Sequence, residues 1–369
     1  MMLPGRATPN GTAKYRKRFE GQISTGHFRE RQGLALSSIG LGTYLGDHDA
    51  ATDESYRQAV VRAVELGCNV IDSAINYRFQ RSERAIGDAL KALAAREFDR
   101  DEIVVATKGG FLPFDGAPPK DMRGYFVETF VKTGIAAVSD LVQGCHCMTP
   151  AYLLNQLDCS RKNLGADCID IYYVHNPETQ LAEVSRDEFK QRLGQAFEAL
   201  EGAVAAGTIR MYGTATWNAY RNNPEAKDYL SLAEVVEIAK TAGGDRHHFK
   251  VVQLPFNLGM PEALTKRNQQ VAGESLSTLD AADALGLTVM CSASILQGQL
   301  ARDLPSFVGQ ALSGLHTDAQ RSLQFVRSTP GVTTALVGMK QTRHVEENLK
   351  TAEVAPATQN EYAKLFEAS

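Results

Sequence analysis

No stretch of this sequence approaches the roughly 20 consecutive apolar residues that cross a bilayer, so no membrane association is expected. Residues 1–25 mix Arg, Lys, Gly and Pro without the apolar segment of a secretory leader. Charge of one sign is not in excess either: 39 Lys and Arg against 43 Asp and Glu leave a net charge of −4. A basic face or arm for nucleic acid is therefore not expected. Cysteine is sparse. Cys68, Cys145, Cys147, Cys159, Cys168 and Cys291 are scattered along 369 positions, unlike the dense framework of a small secreted domain. They read as reduced, mostly buried thiols of a cytoplasmic protein. The Cys145-His146-Cys147 cluster lacks the second pair of ligands that a structural zinc site needs. It reads as loop packing, and no metal is expected.

What is present is a regular alternation. Short β-branched runs fall at Ile39–Thr43, Asn69–Ser73, Ile103–Thr107, Ile169–His175, Ile209–Thr214, Lys250–Pro255, Thr288–Ser292 and Thr333–Gly338. Most lack polar–apolar alternation, as strands buried on both faces of a parallel sheet do. Amphipathic stretches lie between them. Asp53 or Thr52 is placed to cap a helix through Leu66. Further helices are expected at Ser82–Ala95, Thr149–Leu164, Asp187–Ala206, Ser231–Thr241, Glu274–Leu285, Thr317–Ser328 and Thr342–Thr351. Eight strand–helix units in order predict an α/β fold of the (β/α)8 TIM-barrel type rather than an open doubly wound sheet.

Domain boundaries follow from what the barrel does not use. Residues 1–25 read as a polar N-terminal tail, mobile or docking to a partner; 26–352 form the barrel; 353–369 are a C-terminal segment. Gly33–Ser38 is expected to be a hairpin arm covering the barrel bottom. Residues 109–148 make an unusually long loop after the third strand, with a helical patch near Tyr125–Val138. A connection of that length is usually functional.

Active groups of such a barrel sit at the C-terminal ends of its strands. Strand two ends in Asp72, with Tyr77 five residues on; strand three ends in Lys108; strand four ends in His175. A free phenol has a pKa of about 10. A neighbouring ammonium favours the phenolate, and a buried Lys108 needs a counter-charge, which Asp72 supplies. With His175 to orient a carbonyl oxygen, the set suits proton donation to an oxygen gaining negative charge. Tyr172 and Tyr173 point to opposite faces of their strand, so at most one reaches the mouth. His247-His248 reads as a solvated turn.

Gly42-Thr43-Tyr44, Asn69-Val70-Ile71-Asp72, Ser82-Glu83 with Gly87, Ala106-Thr107-Lys108 and Asp170-Ile171-Tyr172-Tyr173-Val174-His175 resemble the aldo-keto reductase superfamily. So do Gly213-Thr214-Ala215-Thr216-Trp217, Gln253 and Gly338-Met339-Lys340 with Glu346-Glu347-Asn348, over about residues 33–352. The resemblance implies an NADPH-dependent oxidoreductase reducing an aldehyde or ketone, with Tyr77 as general acid, Lys108 and Asp72 tuning it, and His175 positioning the substrate. It implies NADPH/NADP+ held across the barrel mouth by Gly42, Thr43, Asp72, Thr216, Gln253, Ser292, Gly338, Lys340, Glu347 and Asn348. The absence of a Gly-x-Gly-x-x-Gly fingerprint is no objection, because that family uses no Rossmann domain. Lys340 falls where a basic residue meets the 2′-phosphate, beside a helix N-terminus near Thr342; otherwise it is a solvated loop lysine.

Three positions depart from the family pattern. Ala215-Thr216 replaces a Ser-Asn pair, Cys291 stands where an aromatic stacks on nicotinamide, and the link from Tyr77 to Ser82 is about two residues longer, carrying Arg78 and Arg81. The two arginines read either as surface charges or as a site for an anionic substrate group, and Trp217 as a pocket wall or a core residue. The alternative function is a nucleotide-binding sensor or partner subunit on the same fold with little turnover. Expected partners are a small-molecule carbonyl substrate and no nucleic acid, and a homo-oligomer is compatible with the sequence.

Overall fold

Strands without alternation need cover on both faces, and the chain provides it by closing a parallel sheet inside a ring of helices. The computed structural model describes residues 2–367. An antiparallel hairpin comes first, β1 (Phe28–Arg31) with β2 (Leu34–Ser37), Phe28 standing opposite Ser37. There follow β3 (Ile39–Gly42), β4 (Val70–Asp72), β5 (Val104–Gly109), β6 (Ile169–His175), β7 (Ile209–Ala215) and β8 (Phe249–Pro255). A second small hairpin, β9 (Gln269–Val271) and β10 (Glu274–Leu276), precedes β11 (Thr288–Ser292) and β12 (Val332–Gly338). The parallel strands close in the order β11–β12–β3–β4–β5–β6–β7–β8. This is the (β/α)8 barrel.

Two apolar layers hold it. Inside, Val70, Val104, Ala106, Ile171, Tyr173, Met211, Val251, Met290 and Leu336 fill the barrel, with Leu34 and Leu36 of the hairpin closing its floor. Outside, the alternate residues of each strand pack against the helices in one continuous core.

Residues 9–18, expected in a mobile tail, form the helix Pro9–Arg18 packed on the barrel bottom. Thr8 Oγ1 accepts from Gly11 N at 2.9 Å as its cap, and Pro9 opens it. Tyr15 is fully buried and donates its hydroxyl to Val64 O at 2.6 Å, while Arg18 clasps both oxygens of Glu102 at 2.8 Å. The helix Gln359–Glu367 in the C-terminal segment stacks Tyr362 on Phe325 at 5.4 Å.

Local differences from the sequence reading have physical causes. The helix Ala50–Glu65 is capped by Asp49, whose Oδ1 accepts from Thr52 N at 2.7 Å; Asp53 instead takes Arg78 and Arg81. Glu274–Leu276, expected in a helix, is β10, turned by Ala272 and Gly273 with φ of +51° and +86°. Two positive-φ residues make a tight hairpin turn, and the helix starts only at Thr278, after the Ser277 cap. His248 is not merely solvated; its Nδ1 lies 2.6 Å from Glu201 Oε2.

The long segment has a core of its own. Leu112, Phe126, Phe130 and Cys147 pack on Tyr152, and its helical part runs over Met122–Val131 rather than Tyr125–Val138. Among the described residues no helix is long and apolar enough to cross a membrane.

Candidate active site

Each polar group expected at a strand end is carried there by the barrel's alternation. Asp72 ends β4, Lys108 lies near the end of β5, and His175 ends β6. Tyr77 follows on a turn in which Ile75 N donates to Lys108 O at 3.2 Å and Tyr77 N to Ala74 O at 3.0 Å. The structure brings the four to one rim. Lys108 is fully buried, and its Nζ donates to Asp72 Oδ2 and to Ser73 O, both at 2.6 Å. The second carboxylate oxygen of Asp72 accepts from Gln253 Nε2 at 2.8 Å. Gln253, expected to hold the cofactor, is thus tied to the ion pair.

The Lys108 ammonium lies 5.0 Å from the centre of the Tyr77 ring and 5.9 Å from that of Tyr173. Tyr77 meets His175 at 5.9 Å and Tyr44 at 4.9 Å, both edge-to-face, and Phe111 stands edge-on to His175 at 5.0 Å. Burial lowers the Lys108 pKa, with Asp72 opposing that shift. Burial pushes the Tyr77 phenol well above its ordinary value, and Asp72 and Tyr44 add to the rise. This is opposite in sign to the tuning expected from Lys108 alone. His175 is held neutral by burial, with Lys108 and His146 adding to the effect.

The other carried-over positions are distributed as follows. Thr43 is buried and donates to Ser73 Oγ at 2.9 Å. Gly42, Ser292 and Gly338 are at the ends of β3, β11 and β12, around the same mouth. Thr216 is buried just past β7, its hydroxyl without a partner among the described residues. Lys340 Nζ comes 3.7 Å from where a Cβ on Gly46 would stand. Gln341 leaves the helix Thr342–Leu349 without a side-chain cap, and its first turn carries no acid. Glu347 and Asn348 lie on that helix, Asn348 buried.

Four readings need correction or resolve. Cys291 packs between sheet and helices, its neighbour Met290 facing the interior, so it is not at a nicotinamide face. Arg78 and Arg81 both bind Asp53, and Arg78 also donates to Asp47 O at 2.8 Å; neither is a free cation at the mouth. Trp217 is 42% exposed and is no core residue. Of the two adjacent tyrosines, Tyr173 faces the interior and Tyr172 the helices. Phe111 and Glu178 were not singled out from the sequence, and Tyr44, part of the Gly42-Thr43-Tyr44 motif, was given no place in the site. Tyr44 and Phe111 each lie two residues past a strand end, where a search one step longer finds them.

Residues 38–239 match the aldo/keto reductase family. The NADP(+) aldo-keto reductase yakc of Schizosaccharomyces pombe is 29% identical over 55% of this chain, and the match spans 48% of that protein, about half its length. A protein of the same yeast named for a voltage-gated potassium channel subunit beta is 24% identical over 88% of this chain and 87% of its own. The holo form of a Bacillus halodurans aldo-keto reductase superposes with a TM-score of 0.62 at 20% identity, covering 93% of this chain and 97% of that one. A Klebsiella pneumoniae aldo/keto reductase in complex with NADP and acetate gives 0.61 at 21%, covering 94% and 95%.

Proposed function

This chain belongs to the aldo/keto reductase family, and on that premise we propose that it is an NADPH-dependent reductase of aldehydes or ketones. The observation that carries the reading is the Lys108–Asp72 pair buried under the Tyr77 ring beside a neutral His175. The residues present fit a dinucleotide. Asn76 Oδ1, His175 Nδ1 and Thr216 Oγ1, all just past strand ends or on them, are buried without hydrogen-bond partners among the described residues, an expensive arrangement unless a ligand completes it. Gly42, Thr43 and Thr216 would hold the nicotinamide end, with Asp72 and Gln253 behind it. Ser292, Gly338 and Lys340, with the uncapped start of Thr342–Leu349, would hold the phosphates, and Glu347 and Asn348 the adenine. The reduced cofactor supplies the hydride.

The protein's part is proton delivery and orientation. His175, neutral, donates from Nε2 to the substrate carbonyl oxygen. Tyr77 gives its phenolic proton to that oxygen as charge builds there; burial keeps the phenol protonated until then. Lys108 stabilises the phenolate left behind, and Asp72 holds Lys108 in place. The mouth favours an aromatic or apolar carbonyl compound: Tyr44 and Leu45, just past β3, are 56% and 43% exposed, and Trp217, just past β7, is 42% exposed.

Oxidation of NADPH by a panel of carbonyls tests the activity. Tyr77→Phe is expected to lower kcat by about 10²- to 10⁴-fold with NADPH binding unchanged; full activity in that variant overturns the mechanism. Lys340→Ala is expected to weaken NADPH binding by about ten- to a hundred-fold, the value of a charged hydrogen bond, and to leave NADH binding unaltered in the same titration.

A second reading, a nucleotide-binding sensor or partner subunit, is favoured by the relative named for a channel subunit and by Ala215-Thr216. Tight NADPH binding with no turnover on any carbonyl would select it.

A further inference from the structure

The Cys145-His146-Cys147 cluster has no part in the chemistry above, yet it is bonded to it. The two ends of the long segment form a short ladder. Leu112 N donates to Cys145 O at 2.7 Å and Cys147 N to Gly110 O at 2.9 Å, with Phe111 opposite His146. His146 is fully buried there, its Nε2 2.7 Å from the backbone carbonyl oxygen of His175. Gly110, at φ +133°, makes this approach: a Cβ on it would stand 2.8 Å from His146 Nε2 and 3.1 Å from His175 O. The Phe111 ring lies edge-on to both imidazoles, at 5.2 and 5.0 Å.

The polarity of every bond behind His146 is determined. Arg192 has only donors, and its Nη1 reaches Gln180 Oε1 at 2.6 Å. That fixes the Gln180 amide, so its nitrogen faces His146 Nδ1 at 2.9 Å and His146 O at 3.2 Å. An amide nitrogen donates; Nδ1 therefore accepts, and the ring proton resides on Nε2. A carbonyl oxygen only accepts, so Nε2–H donates to His175. Glu188 anchors Arg192 from the outer side, at 2.6 Å. Burial pulls the His146 pKa down to about 4, which keeps this neutral form in place.

We propose that His146 is a positioning residue for His175, locked as the Nε2–H tautomer by Gln180 and Arg192, and that it fixes where the His175 imidazole meets a carbonyl substrate. What His175 does rests on the reductase reading; how His146 is held does not.

The test uses the full chain labelled with ¹⁵N-histidine. At pH 7 the His146 resonances, identified by their loss in His146→Gln, are expected to show a single neutral Nε2–H tautomer. Gln180→Leu leaves only the His175 carbonyl to hold that proton, and is expected to loosen the ring and broaden its resonances. An Nδ1–H form, or a mixture in the unaltered protein, overturns the proposal.

Kinetics give the second arm. His146→Phe is expected to lower kcat by about ten- to a hundred-fold, the effect of misplacing a reacting group by about 1 Å, with NADPH affinity unchanged. His146→Gln, which still donates to His175 and accepts from Gln180, is expected to recover most of the loss. Equal losses in both variants, or none in either, overturn it. If His146→Phe does not fold, Gln180→Leu takes its place with a smaller fall in kcat expected, and an unchanged kcat overturns the proposal. A wild-type protein that reduces no carbonyl refutes the reductase reading, and the tautomer measurement still decides how His146 is held.

Discussion

Glu178, three residues past the end of β6, is a buried carboxyl whose Oε1 accepts from Trp217 N at 3.0 Å while Oε2 has no partner among the described residues. Burial raises its pKa to about 7. The folded state therefore holds this proton more tightly than the unfolded chain. Its contribution to stability is complete below the unfolded carboxyl pKa and is lost as pH rises through about 7. The loss is on the order of 3 kcal/mol. Glu178→Gln, neutral at every pH, is expected to be more stable than the parent at pH 8 and to flatten the fall in Tm between pH 5 and pH 8, followed by circular dichroism. Glu178 illustrates what residue-scale reading from sequence misses, since nothing in His175-Asn176-Pro177-Glu178 shows which carboxyl the loop after β7 covers. Asp72, Lys108 and His175 were legible because strand alternation decides their direction. Cys291 was misread for the same reason: one step along β11 exchanges the interior for the helix side.

Between residue and fold lies the turn that carries Tyr77 into the mouth. The extra length noted in the sequence is spent on Arg78, Phe79 and Gln80, three consecutive non-glycine residues with φ of +48°, +56° and +68°. Each left-handed residue costs about 1 kcal/mol or more, so the surroundings must hold the turn. Arg78 does so from beneath, through Asp53 and the carbonyls of Asp47 and Asp49. On the other side Gly116 N donates to Phe79 O at 3.0 Å and Gln80 Nε2 to Phe114 O at 3.2 Å. Asp53→Ala strips the buried Arg78 of its carboxylate and is expected to cost about 3 kcal/mol in a denaturant titration. Arg81→Ala, in contrast, is expected to leave KM for carboxylate-bearing and neutral carbonyls in the same ratio. A sequence reading sees the length of such an insertion but not its handedness, because Arg, Phe and Gln carry no left-handed signature. Ala272 escaped for the same reason, and Asp49 because Thr52 and Asp53 carry capping side chains of their own.

At the scale of the whole molecule, the barrel was legible from eight repeated units whose periodicity has one economical closure. How its ends pack was not. The helix Pro9–Arg18 is largely polar and attaches through a few contacts remote in sequence, Tyr15 to Val64 O and Arg18 to Glu102 among them. Tyr15→Ala is expected to destabilise the fold by about 3–5 kcal/mol, as removal of a buried aromatic ring does, without changing kcat, because it lies on the face opposite the mouth. Denaturant unfolding and steady-state assay separate the two effects. In the segment 109–148 the length and a helical patch were legible, but not the packing; that it carries a core around Phe126 and Phe130 follows from contacts with Tyr152 of the next helix.

The closed floor governs traffic as well as stability. Ala7, Leu34 and Leu36 plug the barrel at the strand starts, so solvent reaches the fully buried Lys108 from the mouth. Any ligand seated over that opening acts as a stopper. While it stays, the ammonium protons of Lys108 keep the isotopic composition they had on entry. In deuterated buffer, the rate at which they are replaced becomes a clock for how often the mouth is uncovered.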